Sequence, residues 1–441
     1  MTSPVRRAGA FALLCTLSLA VAAFGPVTAA SIAAVVLAMA VVVTDGPIFR
    51  LFAFPDDYDD GRLYGLIAFV LAASALGIIA VTSSMSLPIF VGAVLLVGYG
   101  NFAERLAQLR TDNAAIRAGA FCLGGATAAI VGQAATLSLL GESVNSTLTV
   151  MSFLAISGAL LAALLRDVLI VYDDPVVMVF VGLLLWLLAE LEPTVAAMGF
   201  VIALAVTVVF GYVSYALGAA SVAGMLTGVL LGLLTIVFGG YDWFAVLISF
   251  FAIGSLSTKF RYREKAERGV AEDNDGARGS SNVLGNAAVA LAAVIGYAAS
   301  TASLVSVEAD LFLFAFAGSV ATAMSDTLSS EIGGVFDEPR LITTFERVEP
   351  GTDGGVTWQG ELAGLAGATL VASLSFALFP EVGTVGAIVV AAAGFSGMTV
   401  DSLLGATLEG PVLGNQGVNF LATLSGAVVC AILALTLVGF G

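Results

Sequence analysis

The sequence predicts an all-α, polytopic integral membrane protein of about fifteen transmembrane helices, with its N-terminus cytoplasmic and its C-terminus external. Three observations carry this. The 441 residues are 59% hydrophobic and 11% charged, whereas a soluble domain is roughly a quarter charged. Apolar runs long enough to cross ~30 Å of hydrocarbon recur from end to end, without the alternating segments of a barrel, so the spans should be helices. Finally, the basic residues sort to one side of the membrane when the loops are numbered alternately.

The spans fall near 8–24, 27–43, 63–81, 86–100, 114–140, 147–165, 175–189, 194–215, 219–238, 243–258, 283–303, 311–325, 359–379, 383–400 and 417–438. Residues 1–30 look like a signal peptide, with Arg6 and Arg7 before an apolar stretch. Another apolar run, SIAAVVLAMAVVV, follows within a few residues, which favours a retained helix. Alternation from an inside start gives the inner loops all sixteen basic residues, from Arg6 to Arg347 and including Arg278. The outer loops hold only acids such as Glu142, Glu190, Glu192, Glu308, Asp310 and Glu381. The turn at 216–218 barely interrupts its apolar run, and the charge alternation supports it.

Composition also excludes chemistries. There is no histidine, so imidazole base catalysis and Ser-His-Asp triads are ruled out. Cys15, Cys122 and Cys430 lie in apolar runs without metal or disulfide spacing. A net charge of −16 offers no basic footprint for nucleic acid. Only Lys259 and Lys265 are lysines among the sixteen basic residues, and acidic loops of this kind point to a salt-loving host such as a halophilic archaeon. No protein partner follows from the sequence.

Two regions differ in character. Residues 1–214 form an N-terminal multi-helix membrane domain with short loops, of which 45–62 holds five aspartates and reads as a solvated acidic loop or a cation site. Residues 215–441 carry longer polar loops at 259–282, 325–358 and 401–416, all predicted cytoplasmic. The 259–282 linker reads as positive-inside topology and headgroup contact, or as a guide for an anionic substrate.

Four patches in these loops could carry chemistry. Asp326, Ser329, Ser330 and Glu331 lie just past a span, where carboxylates usually pair, bind ions or face water. Asp401, Gly405 and Glu409 are spaced i, i+4, i+8, one stripe if helical, and two acids flanking a glycine make a plausible Mg²⁺ wall. Asn415 and Asn419 are again i, i+4, as are Asn282 and Asn286. Helix capping explains such pairs as readily as phosphate or metal ligation does. In ERVEPGTDGGVTWQGE, Gly351, Gly354 and Gly355 let backbone N–H groups turn toward an anion, with Thr352 adding a hydroxyl and Arg347 a phosphate clamp. A tight turn without a ligand would need the same glycines. Taken together, acids for a metal beside amides and arginines for phosphate suit transfer to a lipid.

The runs GVLLGLLTIVFGGYDWFAVLISFFAIGSLSTKF, SDTLSSEIG, RLITTFERVEPGTDGGVTWQGELAG, DSLLGATLEG and NQGVNFLAT, in this order across 215–441, resemble the transmembrane protein 19 family. That family includes the phytyl-phosphate kinase of plants and cyanobacteria. The resemblance implies a Mg²⁺-dependent phosphotransferase acting at the cell membrane on a prenyl phosphate or related isoprenoid lipid. The donor would be a nucleoside triphosphate, with CTP one candidate. It also implies roles for Asp326, Glu331 and Asp401 in catalysis, and for Asp326, Asp401 and Glu409 in metal binding. Arg347, Gly351, Gly354, Gly355, Asn415 and Asn419 would bind phosphate, beside the Thr352 hydroxyl read from the loop itself. Where relatives carry a more basic run before the span near 283, this chain has GARGSSN with only Arg278. A transporter or channel for a small solute or ion is the alternative; it would place polar groups near mid-membrane.

Overall fold

The computed structural model describes residues 3–168, 173–269, 279–410 and 412–439; Arg278 lies outside them. The chain divides into two compact units, residues 1–202 and 203–441. The sequence places the division at 214/215, at the end of a span; the compact units part earlier, within that span.

In the first unit α1 (Pro4–Cys15) leads through a 3₁₀ turn into α2 (Ala20–Phe24), and α3 (Pro26–Val42), α4 (Gly46–Phe52) and α5 (Asp57–Asp60) follow. Five long helices complete it: α6 (Tyr64–Thr82), α7 (Leu87–Ala107), α8 (Ala114–Leu140), α9 (Leu148–Val168) and α10 (Asp173–Glu190). Asn113 caps α8 by accepting from Ile116 N at 3.1 Å, and Gly141 ends it in the left-handed conformation. Arg166 of α9 pairs with Asp174 of α10 and donates to Glu104 of α7 at 3.3 Å. Asn101 closes the set by donating to Asp174 at 2.8 Å. Every charge in this enclosed cluster has a partner, as burial requires.

Helix α11 (Ala197–Ala216) runs across the boundary. The second unit continues with α12 (Val222–Gly239), α13 (Tyr241–Thr258), α14 (Tyr262–Glu267), α15 (Ser280–Thr301) and α16 (Ala309–Gly333). Strands β1 (Arg340–Leu341) and β2 (Gly355–Val356) pair antiparallel, and α17 (Trp358–Leu378), α18 (Gly383–Leu408) and α19 (Asn415–Leu437) end the chain. Trp243 anchors the core, with ring centroids 4.6 Å from Phe316 and 4.8 Å from Tyr297.

Among the described residues thirteen helices are long and apolar enough to cross a membrane, or fourteen if a bent pair counts as one span. The expected count of fifteen is therefore corrected by one or two. Helix α3 has only 17 residues and meets α4 at 103°, while α10 carries three acids, Asp173, Asp174 and Glu190. The all-α polytopic architecture stands.

Helix α16 sits at the centre of the second unit, and glycines set its spacing to three neighbours. Cβ atoms on Gly360, Gly364 and Gly367 of α17 would fall 2.8–3.0 Å from carbonyl oxygens of Ser329, Ser325 and Met324. A Cβ on Gly394 of α18 would meet Ala321, and one on Gly426 of α19 would lie 3.1 Å from Gly318 O. Small residues let backbones approach closely where hydrocarbon supplies no hydrophobic drive between helices.

Candidate functional site at the basic end of the second unit

The polar ends of six helices meet at one end of this unit. The C-termini of α13, α16 and α18 join the N-termini of α15, α17 and α19. Gly285 of α15 packs on Gln416 of α19, and a Cβ there would lie 3.2 Å from Gln416 Cα. Thr357 caps α17, accepting from Gly360 N at 3.2 Å and donating to Gly333 O of α16 at 3.4 Å. The described basic residues of the unit lie in these segments: Lys259 to Arg268, Arg340 and Arg347. Glu308, Asp310 and Glu381 lie at the helix ends opposite.

Two of the expected spans run further than their apolar stretches. Helix α16 continues to Gly333 and α18 to Leu408, so Asp326 and Asp401 sit on helix rather than in loops. Their side chains lie within hydrogen-bonding reach of each other. Two carboxyl groups this close share either a proton or a cation. With both ionised there is no donor between them, and Asp401 Oδ1 is a buried oxygen without a hydrogen-bond partner. Glu409 is not on the helical stripe the spacing suggested: α18 ends at Leu408 and Glu409 adopts extended backbone as its C-cap. It remains near, with Oε2 3.5 Å from where a Gly405 Cβ would stand. Burial first, and the charge of Asp353 second, raise its pKa above the ordinary glutamate range.

Asp353 arrives on the glycine loop. Gly354 has φ +73°, and a Cβ there would lie 2.6 Å from both Ser402 O and Ala406 N, so the loop rests directly on α18. Gly405 is the matching small residue, its Cβ position 3.2 Å from Gly354 N. Gly351, at φ +84°, turns the loop, and Gly355 belongs to β2, its N–H donating to Thr352 O at 2.9 Å. The Thr352 hydroxyl donates to Glu349 O at 2.7 Å within its own turn. These glycines thus have packing roles, and the loop roofs the helix end that carries Asp401.

Arg347 and Glu331 are engaged with other partners. Arg347 forms an exposed pair with Glu338 at 2.7 Å. Glu331 is buried against Lys265. Asn415 opens α19, whose N-cap is Gly414 with no side-chain cap bond. Asn419 lies seven residues before Gly426, about 10 Å along α19; Gly426 meets Gly318 and Thr322 of antiparallel α16, which sets Asn419 level with the 325–329 segment that carries Asp326.

The sequence reading missed Lys265. Its ammonium is 1% exposed and donates to Thr258 O at 2.7 Å, Ser257 O at 3.4 Å and Glu331. The other lysine, Lys259, likewise donates to a carbonyl, Leu217 O, at 3.3 Å. The rarity of lysine in an arginine-rich chain is the one signal that could have drawn attention to it.

No three acidic, cysteine or histidine side chains gather into a metal cage among the described residues. The two carboxylates that do meet, Asp326 and Asp401, are the donors that could hold Mg²⁺. That ion takes one or two carboxylates and leaves its other positions to water and phosphate.

These features define a polytopic helical membrane protein with a carboxylate site at the basic end of its C-terminal unit. The chain belongs to the integral membrane protein DUF92 family, whose model matches residues 205–427. An uncharacterized membrane protein of Methanocaldococcus jannaschii is 34% identical over 220 residues, 48% of this chain and 85% of that protein. An uncharacterized membrane protein of Synechocystis is 33% identical, over 43% of this chain and 73% of that protein. The chloroplastic protein VTE6 of Arabidopsis thaliana is 31% identical, over 48% of this chain and 65% of that protein. No solved structure matches.

Proposed function

We propose that this protein is a Mg²⁺-dependent phosphotransferase that moves the terminal phosphoryl group of a nucleoside triphosphate onto a prenyl phosphate. The products are a prenyl diphosphate and a nucleoside diphosphate. The observation that carries the reading is the meeting of Asp326 and Asp401, 75 positions apart in sequence, at the polar end of the family unit. The resemblance of 215–441 to a family that includes a prenyl-phosphate kinase supports the chemistry, and the position of this end beside apolar helix faces suits a lipid acceptor.

In this reading Asp326 and Asp401 would hold Mg²⁺, with Glu409 as a further acid nearby. When bound, the ion neutralises charge on the donor phosphates. The glycine loop covers α18 and excludes bulk water from Asp401. Asn415, Asn419 and the uncapped amides of α19 face the phosphates. Arg347 is free to exchange its surface partner Glu338 for a phosphate. By the positive-inside rule this end is cytoplasmic, where nucleotides are available. In this unit the charged groups lie toward the helix ends rather than at mid-helix, which favours transfer over transport.

The test is transfer from labelled CTP, ATP or GTP to a prenyl monophosphate by purified protein in lipid. Mg²⁺-dependent formation of the diphosphate is expected. D326N and D401N should each lose about 100-fold or more, roughly 2.7 kcal/mol of transition-state stabilisation. Full activity in both variants would remove these residues from the site, and no transfer from any donor would remove the reaction.

A further inference from the structure

We infer that Lys265 is a positioning residue for the carboxylate site, acting through Glu331; the inference rests on the magnesium reading of the Asp326–Asp401 pair. Lysine has three N–H donors and no acceptor. All three are consumed here, by the carbonyls of Ser257 and Thr258 and by the carboxylate of Glu331. The ammonium therefore has no donor left for a substrate, and Glu331 is bound as its counter-ion. Neither group suits a direct part in phosphoryl transfer.

What the pair does is mechanical. Ser257 and Thr258 are the last residues of α13, where carbonyls run past the regular helical ladder; Ser257 O also accepts from Phe260 N at 3.0 Å. Glu331 lies five residues past Asp326, about 7.5 Å along the same helix. One cation thus joins the end of α13 to the part of α16 that carries Asp326. A second tie runs alongside, from Arg268 to Asp337 at 3.0 Å, although Asp337 is largely exposed. The buried tie is the stiff one. It fixes how far α16 leans from α13 and hence where Asp326 stands relative to Asp401. Groups that orient metal ligands from the next layer out are worth roughly 10–100-fold in metal affinity.

Mn²⁺ binding, followed by electron paramagnetic resonance on the full chain in nanodiscs, tests this without requiring turnover. The wild-type chain should bind, and D326N should not. K265M should bind roughly tenfold or more weakly. K265M leaves Glu331 buried without its counter-ion, so the K265M/E331M double variant accompanies it to separate unfolding from positioning. The double variant should regain thermal stability yet keep the tenfold loss, and K265R should recover most of the affinity. Wild-type affinity in K265M, or recovery of both stability and affinity in the double variant, would overturn the inference alone. A wild-type chain that binds no Mn²⁺ would remove the magnesium reading and this inference with it.

Discussion

Gly354 and Gly410 offer a paired measurement of how firmly the glycine loop is held on α18. Both occupy the left-handed region, at φ +73° and φ +84°. Alanine at either position incurs the same backbone cost, about 1–2 kcal/mol. Their surroundings differ. A Cβ on Gly410 meets nothing within 4 Å, whereas one on Gly354 would come within 2.6 Å of Ser402 O and Ala406 N, both parts of the α18 backbone. Helix backbone cannot retreat like a side-chain tip, so G354A adds an overpacking cost of roughly 1–3 kcal/mol. The relief left to G354A is for the loop to lift, which would expose the Asp401 end of α18. G410A should lose only the strain term in thermal unfolding. G354A should lose more, and it should also accelerate amide hydrogen exchange across 340–356, where Ile342 N donates to Gly354 O at 3.0 Å. Equal losses in the two variants, or unchanged exchange in that segment, would refute the idea that the glycine exists to let the loop dock.

Arg347 and Glu338 are each about 60% exposed, so R347A should change unfolding by under about 1 kcal/mol. If Arg347 exchanges Glu338 for a phosphate during turnover, the same variant should raise KM for the prenyl phosphate while its melting temperature holds. For Glu409 the folded-state pKa is raised, so the native chain binds this proton more readily than the unfolded chain. Its favourable contribution is complete below the ordinary glutamate range and is lost as pH rises through the folded value. Metal-free E409Q should therefore match wild type in stability in acid and exceed it at neutral pH; a constant offset across that range would contradict the assignment.

Apolar run length is a local property, so the spans could be read from composition. Where a helix stops is less local. The apolar stretch ending near 325 and the one ending near 400 each continue as helix for about two turns, because tertiary contacts with α17 and the glycine loop support polar residues that hydropathy assigns to loops. That extension turns Asp326 and Asp401 from loop acids into opposed helix side chains. Neither the bend after α3 nor the burial of Lys265 has a local signature. A lysine in a charged linker reads as solvated until its carbonyl and carboxylate partners are known. The aspartate-rich loop at 45–62 shows the same limit. Asp57 is fully buried, accepting from Phe54 N at 2.8 Å and Tyr64 N at 2.9 Å, while its neighbours face outward.

The separation of Asp326 and Asp401 is set one helical turn away from either of them. Thr322 precedes Asp326 by four residues on α16, and Gly397 precedes Asp401 by four on α18. The two earlier residues meet: a Cβ on Gly397 would stand 2.9 Å from Thr322 Cβ, closer still to its other atoms. Residues four apart share a helix face, so the gap at the 322/397 level passes almost unchanged to the 326/401 level. G397V adds a branched side chain where none fits, at a cost of about 1–3 kcal/mol, and the relief available is a wider spacing of α16 from α18. That spacing draws apart two carboxylates that the substitution never touches. Mn²⁺ affinity should fall in G397V and recover in part when T322A removes the opposing methyl and hydroxyl. An unaltered affinity in G397V would mean that the two acids reach their ion independently of how closely their helices pack.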